Sequence, residues 1–315
     1  MIHCNDETKK RELDNIRFNL RQLEVLFNDP ELTDIFCSKE GNVSFKKFGK
    51  DIENSDITLS VSQRFQLLNQ IAKYMELNIN FFEYPVLEGT IPVPEWKNSR
   101  ITAIFPPWIS EPSFTIRKPP ERIYTLEDYV SNGQLSIGRY NIIVDCVKEN
   151  RNIIVSGGTG SGKTTLVNAI IKKKCEFYPS HRYYIVQDVS ELRCEGKYAD
   201  MPVIRSDQAT LAVLLSLRYT PNFIIFGEVR KGAVMAELLD AWNTGHPGGV
   251  TTIHANSPTA TITRIKKLLL DHYTSDSSLP DLNEYIDIII YIQKDKETGI
   301  AISEIMEMQK INSRL

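Results

Sequence analysis

The chain has 315 residues, of which 42% are apolar and 24% charged, with a formal net charge of −3. That length predicts about two domains, and the apolar share supplies a core for each and excludes a globally disordered chain. A near-neutral charge argues against coating of nucleic acid, which rests on neutralising phosphates, so no direct sequence-specific nucleic-acid binding is expected. Five cysteines at 4, 37, 146, 175 and 194 show no C-x-x-C spacing, which argues against a disulfide framework or a zinc site and fits a reducing compartment. The N-terminal residues form no apolar signal region, and no apolar run nears the roughly 20 residues of a spanning helix. A cytoplasmic protein is expected, and docking on a membrane complex is compatible with that.

Leu13, Ile16, Leu20, Leu23 and Leu26 recur at helical spacing, predicting an amphipathic helix over 8–27. Strand and turn character follows to Leu59, with Glu40-Gly41-Asn42 as a hairpin turn between two short strands. Phe65, Leu68, Ile71, Ala72 and Met75 share one face of a second helix over 62–77. Residues 100–104 and 113–117 alternate as half-buried strands. Lys118-Pro119-Pro120-Glu121-Arg122 then breaks any regular element, because consecutive prolines continue neither a helix nor a central strand. An N-terminal α+β domain is therefore expected over 1–118, a linker over 119–124, and a larger domain over 125–315. In that larger domain short apolar strands at 152–156, 183–186, 223–226 and 250–254 alternate with helical patterns at 163–173, 206–218, 232–242 and 258–270. Alternation of this kind predicts an α/β fold with a mostly parallel, covered sheet. Lys172-Lys173-Lys174 reads as a solvated helix terminus favoured by the helix dipole.

The spacing G-x-x-x-x-G-K-T is met from Gly157 to Thr164, after a strand and before a helix. Its phosphate-binding set is Gly157, Gly158, Thr159, Gly160, Ser161, Gly162, Lys163, Thr164 and Thr165. The glycines let the backbone curl so that N–H groups face phosphate oxygens, and the following helix adds its positive end. Lys163 would reach the β- and γ-phosphates of ATP, and Thr164 would offer its hydroxyl to Mg²⁺. The dinucleotide fingerprint with its acidic partner is not met. Glu228 follows the apolar strand Phe223-Ile224-Ile225-Phe226, where it is placed to act on an attacking water, with Arg230 two residues on to stabilise γ-phosphate charge. His254 ends another apolar strand, and the Gly-His-Pro-Gly-Gly turn before that strand suggests close approach to a ligand.

Together these residues resemble the type II/type IV secretion (traffic) ATPases, and within them the TrbB-type conjugal transfer ATPases. The likeness rests on the P-loop, an Asp box over 182–192, a Walker B region over 217–230 and a His box over 241–256. It implies a RecA-like motor domain behind a smaller N-terminal domain, and a homo-hexameric ring working with inner-membrane secretion-machine proteins. It also implies that arginines of the N-terminal domain, here Arg100 and Arg117, approach bound nucleotide. Two departures stand out: Gln187-Asp188 replaces the usual Glu-Asp, and Pro221-Asn222-Phe223 replaces Pro-Asp-Arg. In the family the acid matched by Gln187 lies near Mg²⁺, so turnover is expected to be slowed, with Asp188 the substitute metal neighbour and Glu191 a further nearby acid. Alternatives are a pilus or type II secretion motor, and a nucleotide-binding scaffold with little hydrolysis. A GTPase lacks support because Gln293-Lys294-Asp295-Lys296 is a poor guanine-reading motif, and no ABC-type signature is present.

Overall fold

The computed structural model describes residues 2–47, 50–97, 99–119, 123–273 and 279–309, in two compact units, 1–121 and 122–315. Residues 120–122 of the expected linker lie outside the described residues.

In the first unit, helix α1 (Ile2–Leu20), a 3₁₀ turn (Arg21–Leu23) and the turn α2 (Glu24–Phe27) bury Ile16, Leu20, Leu23 and Phe27, as their spacing requires. The strands are β1 (Leu32–Cys37), β2 (Asn42–Lys47), β3 (Ile52–Thr58), β4 (Val86–Thr90), β5 (Arg100–Ile104) and β6 (Ser113–Arg117). They form one antiparallel sheet in the order β3-β2-β1-β6-β5-β4. Helix α3 (Val61–Tyr74) opens on a capping box: Ser60 Oγ accepts from Gln63 N–H at 3.2 Å and Gln63 Oε1 accepts from Ser60 N–H at 2.8 Å. Its Leu67, Leu68, Ile71 and Ala72 join the same core as the apolar face of α1. A residue given no role by the apolar pattern holds this unit together. The Arg64 guanidinium, 1% exposed, donates to the carbonyls of Ser38, Lys39 and Pro112 and pairs with Glu111 at 2.9 Å. Buried charge is tolerated only when satisfied in this way.

The second unit holds α4 (Leu126–Ser131), α5 (Ile137–Lys148), β7 (Ile153–Gly157), α6 (Lys163–Phe177), β8 (Arg182–Val186), β9 (Tyr198–Asp200), α7 (Ala209–Ser216) and β10 (Phe223–Glu228). It continues with α8 (Gly232–Asn243), β11 (Val250–His254), α9 (Pro258–Leu270), α10 (Leu282–Tyr285), β12 (Ile288–Asp295) and β13 (Gly299–Glu307). Its sheet runs β13-β12-β7-β11-β10-β8-β9, parallel throughout except for the antiparallel edge strand β13. β7 is buried at every residue, as a central strand covered on both faces must be. The fold class is thus the expected one: a mostly parallel α/β unit preceded by a smaller α+β unit.

Two expectations are corrected here. Lys173 and Lys174 are not a solvated terminus. Lys173 pairs with Glu127 and Glu176 at 2.6 Å each. Lys174 is 1% exposed, with its ammonium 3.8 Å from the Phe223 ring centre and 3.3 Å from Asn150 Oδ1. The Gly-His-Pro-Gly-Gly turn does not approach the phosphate loop either. It lies at the start of β11, the end opposite His254, where Gly248 N–H and Gly249 N–H donate to Asn152 Oδ1 at 2.8 and 3.0 Å. Gly249 is needed there for packing: a Cβ would stand 1.9 Å from Trp242 Nε1, whose N–H donates to the Ile224 carbonyl at 3.0 Å.

Candidate functional site

Strand order assembles the site. β7, β11 and β10 are parallel neighbours, so their C-terminal ends lie side by side, and ligands bind beyond that edge in open parallel sheets. β7 delivers the phosphate loop, β11 delivers His254 and β10 delivers Glu228; β8, beside β10, delivers Gln187 and Asp188.

The loop bends where side chains would not fit. A Cβ on Gly157 would stand 2.2 Å from the Ile292 carbonyl oxygen of β12, and Gly162 takes φ +90° immediately before α6. Lys163 is the first residue of that helix; its ammonium donates to the carbonyls of Gly157 and Gly158 at 3.1 and 2.9 Å and lies 3.2 Å from His254 Nδ1. His254 Nε2 in turn lies 3.3 Å from Glu228 Oε1. One neutral tautomer satisfies both contacts. An ammonium has no lone pair, so Nδ1 accepts; a carboxylate has no proton, so Nε2–H donates. Burial and the Lys163 charge hold the imidazole below its ordinary value, against the pull of Glu228, which favours that neutral form.

Glu228 is aimed by a β-bulge. Register between β10 and β11 slips at Gly227, so that Phe226 pairs with Thr251 but Glu228 with Thr252. Thr252 Oγ1 donates to the freed Gly227 carbonyl at 2.7 Å. Arg230 grips both carboxylate oxygens of Glu228, Nε to Oε1 at 2.8 Å and Nη2 to Oε2 at 3.1 Å. Its Nη1 donates to Asp188 Oδ2 at 2.9 Å. Burial pushes Glu228 upward, but the Arg230 bond and the surrounding positive charges outweigh it and hold the carboxyl below its ordinary value. Burial likewise lowers Lys163, with Glu228 opposing.

Lys163, His254, Glu228, Arg230 and Asp188 therefore form one continuous polar chain. Glu191 is tied instead to Gln187: its N–H donates to Gln187 Oε1 at 3.0 Å, and Leu192 N–H donates to the same atom at 2.8 Å. Gln187, 3% exposed, thus braces the loop after β8. Asn168, unassigned by motif matching, completes that brace, its Nδ2 donating to the Glu191 carbonyl at 3.0 Å and its Oδ1 accepting from Arg193 N–H at 2.9 Å. An amide inside the apolar run Leu166-Val167-Asn168-Ala169-Ile170 was the available signal. Arg100 and Arg117 belong to the first unit, where Arg117 pairs with Asp34 at 3.0 Å and Arg100 lies 3.9 Å from Glu88.

The loop suits a polyphosphate. It offers glycine backbone, a helix N-terminus, an ammonium and the buried Ser161 hydroxyl, which has no hydrogen-bond partner among the described residues. Among the described residues no group of three or more His, Cys, Asp or Glu side chains is placed to hold a metal by itself. Mg²⁺ would need only one or two protein ligands, with phosphates and waters completing its shell. No helix among the described residues is long and apolar enough to cross a membrane.

A phosphate-cradling loop with an acid at the end of a nearby parallel strand defines the P-loop ATPase class. The model of the type II/IV secretion system protein family matches residues 97–292, and the chain belongs to this family of secretion ATPases. It is 32% identical over 291 residues to the conjugal transfer protein TrbB of Rhizobium radiobacter, covering 91% of this chain and 87% of the relative. In fold it is similar to the Legionella pneumophila ATPase DotB, with a TM-score of 0.68 and 16% identity over 92% of this chain and 81% of that one. It is likewise similar to the pilus retraction motor PilT with bound ADP, with a TM-score of 0.67 and 17% identity over 92% of this chain and 83% of that one.

Proposed function

We propose that the chain forms a homo-hexameric ring that hydrolyses ATP with Mg²⁺ to power assembly of, or substrate transfer through, a conjugation or type IV secretion machine. The observation that carries this reading is the unbroken chain from Lys163 through His254 to Glu228 and Arg230 at adjacent strand ends. In this reading Lys163 and the amides of the loop hold the β- and γ-phosphates, and Thr164 and Asp188 face Mg²⁺. The metal would neutralise phosphate charge and hold the terminal group in line. Glu228, ionised at neutral pH, orients and deprotonates the attacking water. His254 links Lys163 to Glu228, so that the phosphate contact and the catalytic acid move together. Arg230 stabilises charge on the transferring phosphoryl group. The output is rigid-body motion of domains, passed to inner-membrane components of the machine from the cytoplasmic side.

The test is steady-state phosphate release with the mass of the active species measured in parallel. The wild type is expected to turn over ATP as an assembly of about six chains. Lys163→Ala should fold normally but lose at least about a hundredfold in kcat, since removal of one preorganised charge costs on the order of 3 kcal/mol. Near-normal turnover by the variant would overturn the site, and a fully active wild-type monomer would overturn the ring.

A further inference from the structure

Cys175 and Cys194 are distant in sequence, yet their Sγ atoms stand 3.5 Å apart. One lies near the end of α6 and the other in the loop after β8. Both are half-buried, whereas Cys37 and Cys146 are buried. The pair is held from two directions. Asn168 and Cys175 are two helical turns apart and share a face of α6, and on that face Asn168 fixes the backbone at Glu191 and Arg193 just before Cys194. Beyond it comes Gly196, where a Cβ would stand 2.9 Å from carbons of the Tyr183 ring and 3.2 Å from Cys194 Sγ. The glycine lets the loop close onto that ring, so Cys194 reaches Cys175. The nucleotide chemistry uses neither thiol.

We propose that Cys175 and Cys194 are a site of reversible oxidation, at which a hydroperoxide converts the facing thiols into an intramolecular disulfide that clamps α6 to the loop after β8. The Cys175 thiolate attacks a peroxide oxygen; the O–O bond breaks, and with hydrogen peroxide the leaving hydroxide departs as water, leaving a sulfenic acid. Cys194 then attacks that sulfur; the S–S bond forms, the S–O bond breaks, and the hydroxyl leaves with the Cys194 proton as a second water. Two thiols and one peroxide give one disulfide and two waters, with two electrons passing from sulfur to oxygen. A dithiol reductant reverses the step. In a reducing compartment such a disulfide is transient and of the sensing kind. Cys175 is the attacking sulfur. Its hydrogen bond with Cys194, helped by the Tyr183 hydroxyl and the Gly196 and Glu195 amides against burial, pulls it down, while Cys194 is pushed up. Tyr183, Tyr178, Lys174 and Glu195 are the other titratable groups around the pair.

The test treats the native full-length chain with hydrogen peroxide, alkylates the remaining thiols and maps the peptides. A linked pair of peptides containing Cys175 and Cys194 is expected, lost on treatment with dithiothreitol. The modification rate should rise from pH 6 to pH 8 as the attacking thiolate forms. Cys175→Ser should leave Cys194 unmodified, and Cys194→Ser should convert Cys175 to sulfinic acid. Over-oxidised Cys175 beside alkylatable Cys194 in the wild type, a link between chains, or protection of neither thiol would overturn the proposal. The wild-type map decides the matter even where a variant fails to fold.

Discussion

Glu228 is held on both carboxylate oxygens, by two nitrogens of Arg230 and the imidazole of His254. Gln187, across the strands beside Gly227, spends its side-chain carbonyl oxygen on two backbone N–H groups. The two positions therefore predict different kinetics. Glu228→Gln is expected to lower kcat by at least about a hundredfold, because an amide keeps position but neither accepts a proton nor carries charge. Gln187→Glu should keep the loop brace, since a carboxylate oxygen accepts the same two bonds, and should raise kcat by adding negative charge beside Asp188. Steady-state turnover at saturating ATP and Mg²⁺ checks both; a harmless Glu228→Gln would show that the acid has been misassigned. At this scale the motif residues were legible because phosphate and water chemistry dictate Lys, Thr and Glu at set spacing. Asn168 and Arg64 were not, since their partners are backbone atoms supplied by distant turns, which no local pattern announces.

Among elements, the slip of β10 at Gly227 matters most, since it sets the direction of the acid, and the Thr252 hydroxyl fastens it. Thr252→Val keeps the shape and removes one hydrogen bond of about 1 kcal/mol. If the slip aims Glu228, kcat should fall about fivefold with KM little changed; an unchanged kcat would mean that the bulge holds without the threonine. Strands with apolar runs, such as β7 and β10, were plain in the sequence. β3 was not, because Ile-Glu-Asn-Ser-Asp-Ile-Thr is an edge strand whose residues are mostly exposed and so carry no apolar alternation. The strand β13 was missed as well: its inward Ile300 and Ile302 are interleaved with Ala301 and Ser303, and a register slip interrupts its pairing with β12. The helical pattern at 206–218 was recognised whole, although it is 3₁₀ at both ends and α-helical only over α7.

For the whole molecule, the buried ammonium of Lys174 ties stability to pH. Burial lowers it from 10.5 to about 7. Between those values the unfolded chain binds a proton that the folded chain does not, so stability rises with pH across that window. Below it both states are protonated and the full cost of the buried charge remains. Lys174→Met should therefore unfold at higher urea than the wild type at pH 7, and this advantage should shrink towards pH 10. Tryptophan fluorescence, to which Trp242, buried in the second unit, contributes beside Trp96 and Trp108 of the first, follows the transition; a gap between the two proteins that did not change with pH would refute the assignment. Trp242 also constrains how the second unit can diverge. Its indole occupies the volume that any side chain at 249 would need. Neither position can drift alone: replacing Gly249 expels the ring, and shrinking Trp242 opens a void and strips the Ile224 carbonyl of its donor. Trp242 and Gly249 therefore act as one packing unit.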